Sequence, residues 1–324
     1  MKNPNRREFL ALGVGALAVA TLPRSLRRRH GLIRRQIPVM GTVADIAVRY
    51  PDHARAQQAI DAALAELRRV DRTMSLFKAD SDVGRTNAEA GRSAVAISED
   101  TATVLAAALL WADASEGRFD PCLGRMSEVW HVKTRRQPPT IDELRAAHPG
   151  NHYRALEVER SGSTPRAVLG RPDVAVDLGG IAKGFGVDLA AEALRDHGIF
   201  HGLVNVGGDL VAMGVDENDE PWKVGVRSPD HLDDVVDVLR VSDRAVATSG
   251  DYLQYFQYGG RRYHHLLDPV TGEPRSTGMR SLTVEASTCM AADAAATALF
   301  GADGETARQV LGRAAPGARV AYII

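Results

Sequence analysis

Four clusters of residues in this 324-residue chain have types and spacings suited to chemistry. The first is Asp177-Leu178-Gly179-Gly180-Ile181-Ala182-Lys183-Gly184-Phe185-Gly186-Val187-Asp188, which reads as a buried strand passing through glycines into a helix. Such a turn offers bare backbone amides and the positive end of a helix dipole to an anion, with Lys183 as a point charge beside them. It has neither the GxxxxGK[ST] order nor GxGxxG, and a purely structural turn fits it equally well. The second is Asn205-Val206-Gly207-Gly208-Asp209, a strand interrupted by two glycines, where a bulge or the close approach of a ligand is expected.

The third runs from Ala247-Thr248-Ser249-Gly250-Asp251-Tyr252 to Tyr263-His264-His265-Leu266-Leu267-Asp268-Pro269-Val270-Thr271-Gly272. Adjacent histidines on a strand face opposite sides, so one of the two at most serves a given site. A lone histidine at a strand end also suits a hydrogen-bonded structural role. The fourth is Asp293-Ala294-Ala295-Ala296-Thr297, a carboxylate and a hydroxyl at i and i+4 on an Ala-rich helix. Two hard oxygen ligands so placed suit Mg²⁺ or Ca²⁺. The alternative is that Asp293 caps the helix and Thr297 bonds back to its own backbone.

The elements that must position these clusters alternate along the chain. Residues 40–49 read as a strand. Residues 54–70 place Ile60, Leu64, Leu67 and Val70 at helical spacing, and 101–115 carry Leu105, Leu109 and Ala112 on one stripe. The interval 131–172, with Pro138-Pro139, reads as a surface excursion holding one short helix near Asp142 to Ala147. Then come a strand at Val174–Val176 and a helix to His197, with strands near 202–215, 222–228, 235–248 and 261–267. A strand at 281–286 leads into a helix near 291–300, and Ala318 to Ile324 closes the chain as a strand. Helices and hairpin-like strands without regular βαβ units, linkers or repeats predict one α+β domain.

Composition narrows the function. Hydrophobic residues are 44% and charged residues 25%, ordinary globular values. Net charge is −1, but residues 1–35 hold nine Lys/Arg and one Glu, so the remainder is near −9. An acidic body argues against nucleic-acid binding. Only Phe9 to Leu22 is apolar enough to meet a membrane, and its 14 residues are short for a span of ~30 Å. With Arg6-Arg7 ahead of it, this run reads as a twin-arginine export signal over residues 1–30, and Ala18-Val19-Ala20 suits cleavage. A membrane-adjacent basic arm is the alternative. The expected location is the periplasm or the outer face of the cytoplasmic membrane. Cys122 and Cys289 fit no disulfide framework or CxxC motif and read as buried free thiols.

In order and content these clusters resemble the ApbE family, the FAD:protein FMN transferases. The resemblance begins at Met40-Gly41-Thr42 and continues through Met74-Ser75-Leu76-Phe77, Asp80 to Asn87, and Phe119-Asp120-Pro121 with Trp130. It then takes in DLGGIAKGFGVD, NVGGD, ATSGDY, HLLDPVTGEP and ADAAATALF, covering nearly all of 36–324. Cys122 stands where Thr is usual and Arg125 where Pro is usual; Phe77 replaces another aromatic, and 131–172 matches nothing in detail.

The resemblance implies an α+β domain of mixed sheets with packed helices, related to the T-fold. It implies FAD, as substrate, surrounded by Met40, Phe77, the Arg118–Phe119–Asp120 segment, Asp177, Lys183 and Leu267. It implies Mg²⁺ held by the Gly180 carbonyl, Asp293 and Thr297, and His265 as the base. The implied reaction transfers FMN to a Ser or Thr hydroxyl of an acceptor flavoprotein and releases AMP. An FAD pyrophosphatase, or a non-catalytic flavin-binding protein of the periplasm, are the alternatives.

Overall fold

The computed structural model describes residues 32–148, 150–160, 162–231 and 233–324, and the backbone of Leu17–Val19. Its elements begin with β1 (Leu17–Val19), β2 (Ile33–Val39), β3 (Thr42–Val48), α1 (His53–Met74), α2 (Asp82–Ala88) and β4 (Val95–Ala96). Next come α3 (Glu99–Ala114), α4 (Gly124–Trp130), α5 (Ile141–Ala146), β5 (Leu156–Glu159), β6 (Arg166–Leu169) and α6 (Ala182–Asp196). Five strands follow: β7 (Gly202–Val206), β8 (Asp209–Met213), β9 (Trp222–Arg227), β10 (Val235–Val241) and β11 (Arg244–Gly250). The chain ends with β12 (Tyr255–Tyr258), β13 (Arg261–His264), β14 (Ser281–Ala286), α7 (Cys289–Leu299), α8 (Gly304–Ala314) and β15 (Arg319–Ile323).

A seven-stranded antiparallel sheet, ordered β15-β14-β11-β8-β7-β3-β2, is the centre of the molecule. Period-2 alternation sends its side chains to two different cores. Val204, Val206, Val211 and Met213 face α1, α6 and α7, among Leu64, Leu67, Leu194 and Phe300. Leu203, Leu210 and Ala212 face the opposite way, onto Trp222, Val224 and Val226 of β9. With both faces covered, the strands β7 and β8 are buried at every position.

The register puts the site-bearing turns on one rim. Met40-Gly41 closes β2 on β3 as a two-residue hairpin between paired Val39 and Thr42, and Gly207-Gly208 closes β7 on β8 between Val206 and Asp209. Met40 and Gly41 have φ of 52° and 68°, the positive pair that a type I′ turn needs. Because β3 pairs antiparallel with β7, both turns lie at the same end, where α6 also begins.

Several boundaries differ from the sequence reading. The strand expected from 40 begins at Thr42, because Met40-Gly41 is the turn. Residues 174–176 form only a single bridge, Leu123 to Ala175, because the Asn87 side chain bonds both Val176 N (2.6 Å) and Val176 O (3.0 Å) in place of a ladder. The run 235–248 is two strands, broken at Asp243 with φ 51°. The excursion 131–172 contains β5 and β6, which pair with each other, and β6 pairs in turn with β4. β2 starts at Ile33, three residues before the expected domain start. Arg6 and Arg7 lie outside the described residues, while Leu17–Val19 of the apolar run pairs antiparallel with β9. No helix among the described residues is long and apolar enough to cross a membrane. Cys122 and Cys289 are buried free thiols, and burial pushes both thiols well up.

Candidate active site

Two antiparallel helices carry the centre of the site. Asp188 of α6 accepts from the first amides of α7, Cys289 N at 2.7 Å and Met290 N at 2.9 Å. A carboxylate there satisfies donors that the helix itself leaves open, and it fixes where α7 starts. One turn earlier the helices all but touch. A Cβ on Gly184 would stand 2.3 Å from the Cys289 carbonyl oxygen, so only glycine permits the crossing. Asp293 is thereby brought over the start of α6, where Gly184 N donates to its Oδ2 at 3.0 Å.

Asp293 is therefore no helix cap. Thr288 caps α7, accepting from Ala291 N, and Asp293 lies one turn inside, 3% exposed. The anion presented to the α6 N-terminus is this carboxylate. Lys183 Nζ donates to Asp293 Oδ2 at 3.2 Å and also, more closely, to Asp209 Oδ2. Burial opposes the Lys183 charge, but the two carboxylates outweigh it and hold the ammonium above the ordinary lysine range. Burial and the facing Asp293 push the Asp209 carboxyl up, against the pull of Lys183. Lys183 thus serves two acidic side chains.

Thr297, one helical turn beyond Asp293, faces Gly180. A Cβ on Gly180 would lie 3.0 Å from Thr297 Oγ1 and 3.3 Å from the Phe119 ring. The Thr297 hydroxyl makes no hydrogen bond among the described residues, so it does not bond back to its helix. An unengaged hydroxyl thus lies against Gly180, one helical turn from the Asp293 carboxylate, in a gap that a side chain at 180 would fill. The donor set is all hard oxygen and suits Mg²⁺. Among the described residues no group of three or more His, Cys, Asp or Glu forms a metal site, which this mixed set does not require.

The end of α7 is fixed by two arginines. Arg275 Nη1 donates to the carbonyls of Thr297 (2.8 Å), Ala298 (3.4 Å) and Phe300 (3.0 Å), and its Nε to Leu267 O at 3.1 Å. Its other nitrogen takes the Arg118 carbonyl, and Arg118 Nη2 reaches Phe300 O at 3.2 Å. Cations at a helix C-terminus meet carbonyls that lack an intrahelical partner. Burial lowers the Arg275 guanidinium to about 10.

The adjacent histidines divide as alternation requires. His264 is buried and accepts from Leu266 N at Nδ1 (3.2 Å), so its Nε2 is the nitrogen that donates to Arg275 O (3.1 Å). Both nitrogens are engaged, and the ring edges onto Phe300. Among the described residues the His265 ring makes one hydrogen bond, Nδ1 to Gln254 O at 3.3 Å, which leaves Nε2 unengaged. Burial, with His264 and the nearby charges of Lys183 and Lys133, pushes its imidazole down to about 3.

The remaining expected residues fall in distinct places. Asp177 Oδ2 accepts from Ser127 Oγ (2.6 Å) and Oδ1 from Gly179 N (2.8 Å), which shapes the turn below Gly180. Phe119 packs at Gly180, and Arg118 holds α7 by its end. Asp120 is saturated by backbone amides of Cys122, His152 and Tyr153, so it organises loops. Leu267 joins Met126, Trp130 and Phe256 in a small apolar cluster apart from the acidic centre. Met40 is the turn residue itself, with its sulfur beside Gly186, and Phe77 is 73% exposed and stacked on His131. Asp209 stands within the NVGGD motif without an assigned role; Arg275, Ser127 and Lys133 carry no signal in the sequence. A cavity of about 470 Å³ lies elsewhere, between α8 and β15, and holds none of these residues.

Comparisons with known proteins agree with this geometry. The ApbE family profile matches residues 40–322. An FAD:protein FMN transferase of Vibrio cholerae is 34% identical over 271 residues, 81% of this chain and 79% of that one. Another, of Haemophilus influenzae, is 32% identical over 303 residues, 90% of this chain and 86% of that one. The crystal structure of the ApbE protein of Thermotoga maritima superposes with a TM-score of 0.78 at 29% identity, covering 91% of this chain and 96% of that one. The flavin transferase ApbE of Vibrio cholerae superposes with a TM-score of 0.74 at 32% identity, covering 87% and 90%. Likeness in both sequence and fold, running from the Met40 hairpin to the last strand, makes this chain a member of the ApbE family.

Proposed function

We propose that this chain transfers the FMN moiety of FAD to a Ser or Thr hydroxyl of an acceptor protein and releases AMP. The observation that carries the reading is the Asp293 carboxylate beside Lys183, one helical turn from a Thr297 hydroxyl that lies unengaged against Gly180. Asp293, Thr297 and the Gly180 backbone would hold Mg²⁺, whose contribution when bound is to neutralise charge on the diphosphate.

The reaction is a displacement at the FMN phosphorus. The acceptor oxygen forms the new P–O bond as the bond to AMP breaks, and the acceptor proton must leave. His265 suits that task, because an Nδ1–H directed at Gln254 O makes Nε2 the basic nitrogen. The depressed pKa keeps this imidazole neutral at physiological pH and weakens it as a base, since general-base catalysis is most efficient with a pKa near the operating pH. His264, with both nitrogens engaged, has no free position to offer.

We also place the protein outside the cytoplasm, exported by the twin-arginine route, where it would modify exported or membrane redox proteins. The deciding experiment incubates the full chain with FAD, Mg²⁺ and a flavin-acceptor domain, then weighs that domain by mass spectrometry. A mass gain equal to FMN less water, with AMP released, supports the reading. Free FMN and an unmodified acceptor would show a hydrolase, and unchanged FAD a binding protein.

A further inference from the structure

The turn after α4 carries two side chains that contact distant segments of the chain. His131 ends α4 in the left-handed region, with φ 32° and ψ 52°, and stacks on Phe77 with centroids 6.0 Å apart and planes 20° from parallel. Its carbonyl accepts from Thr134 N at 2.9 Å and Arg135 N at 3.0 Å, so the turn is closed on itself. Two residues on, Lys133 reaches back to the Met40-Gly41 hairpin, where Nζ donates to Gly41 O at 3.2 Å. A Cβ on Gly41 would stand 2.9 Å from that nitrogen, so the hairpin glycine is what admits the lysine head.

Lys133 contrasts with Lys183. Lys183 meets two carboxylates, whereas among the described residues none lies within ion-pair distance of Lys133. A carbonyl uses one of three ammonium donors and supplies no counter-charge. Desolvation and the positive charge of Lys183 lower the Lys133 ammonium, a cost that an anion between the two lysines would remove.

We propose that Lys133 is a phosphate-binding residue, a second cation that meets the diphosphate of a dinucleotide whose planar ring lies against Phe77 with His131 behind it. The dinucleotide being FAD rests on the reading above; the phosphate contact does not.

The test titrates the full-length wild type, Lys133→Gln and Lys133→Arg with FAD, riboflavin and inorganic pyrophosphate at low salt, by calorimetry. Lys133→Gln should weaken FAD and pyrophosphate by roughly ten- to a hundredfold, the range for a hydrogen bond to a charged group, and leave riboflavin unaltered. Lys133→Arg should keep most of the affinity, and the difference should shrink in 1 M salt. An unfolding temperature close to wild type is expected for both variants, since Lys133 is exposed. Equal FAD binding by Lys133→Gln, or an equal loss of riboflavin, overturns the proposal. Pyrophosphate bound through Lys133 without FAD would sink the flavin reading and leave the phosphate site standing. A wild type that binds neither defeats both.

Discussion

The backbone amide of Gly184 donates to Asp293 Oδ2 across a helix crossing that no larger residue at 184 permits. The position of the acidic centre is thus set by main chain as much as by charge. Asp293→Asn keeps the shape but removes the anion. It should reduce Mg²⁺-dependent flavin transfer more than ~100-fold, beyond the 10–100-fold usual for a residue that only supports a ligand. Initial rates over a Mg²⁺ titration decide it, and wild-type rates at limiting Mg²⁺ would move the metal elsewhere.

His265→Asn should lower transfer by ~10²–10⁴-fold with little change in FAD affinity, the signature of a lost base. His264→Asn should instead lower the unfolding temperature, because its two hydrogen bonds join β13 to the Arg275 and Leu266 backbone. The same loss of FAD binding in both variants would make His265 structural.

The pH dependence follows from sign. His265 titrates near 6.5 when unfolded and is pushed down to about 3 when folded, so the unfolded chain takes up its proton first. This group's effect is absent well above pH 6.5; stability falls as pH drops from there toward 3. The base itself stays neutral across that window. A transfer rate that falls with an apparent pKa near 6.5 would therefore point to a different group.

Arg275→Met should strand several carbonyls at the end of α7, each costing about 1–3 kcal/mol if left unpaired. A lower unfolding temperature together with a raised Mg²⁺ requirement is expected, since the Thr297 carbonyl is among them. Thermal unfolding with and without Mg²⁺ separates the two effects.

Arg6 and Arg7 are proposed to be read by the export machinery as a guanidinium pair. Changing both to Lys keeps the charge and should hold a fused reporter in the cytoplasm. Undiminished export would leave the basic-arm alternative.

The sequence made the long elements legible, because α1 and α3 each repeat an apolar stripe, α7 is a nearly unbroken apolar run and β14 is buried throughout. It also singled out Asp293, Thr297 and Gly180, since their spacing is local or carried by a motif. What it hid depends on contacts distant in the chain. The Lys183–Asp209 pair and the Lys133–Gly41 bond join segments 26 and 92 residues apart. β5 and β6 were obscured by outward-facing Glu157, Glu159 and Arg166, whereas Val174–Val176 reads as a strand although the Asn87 side chain takes the place of a strand partner there.

Every strand of the central sheet reverses at one rim or the other, and the candidate site uses only one of them. At the opposite end, the α6 to β7 connection is exposed at His197 and Gly198. The 15 residues of α6 put that connection about 22 Å from Lys183. A fluorophore or a tether attached at His197 would therefore stand well clear of the Lys183–Asp293 centre.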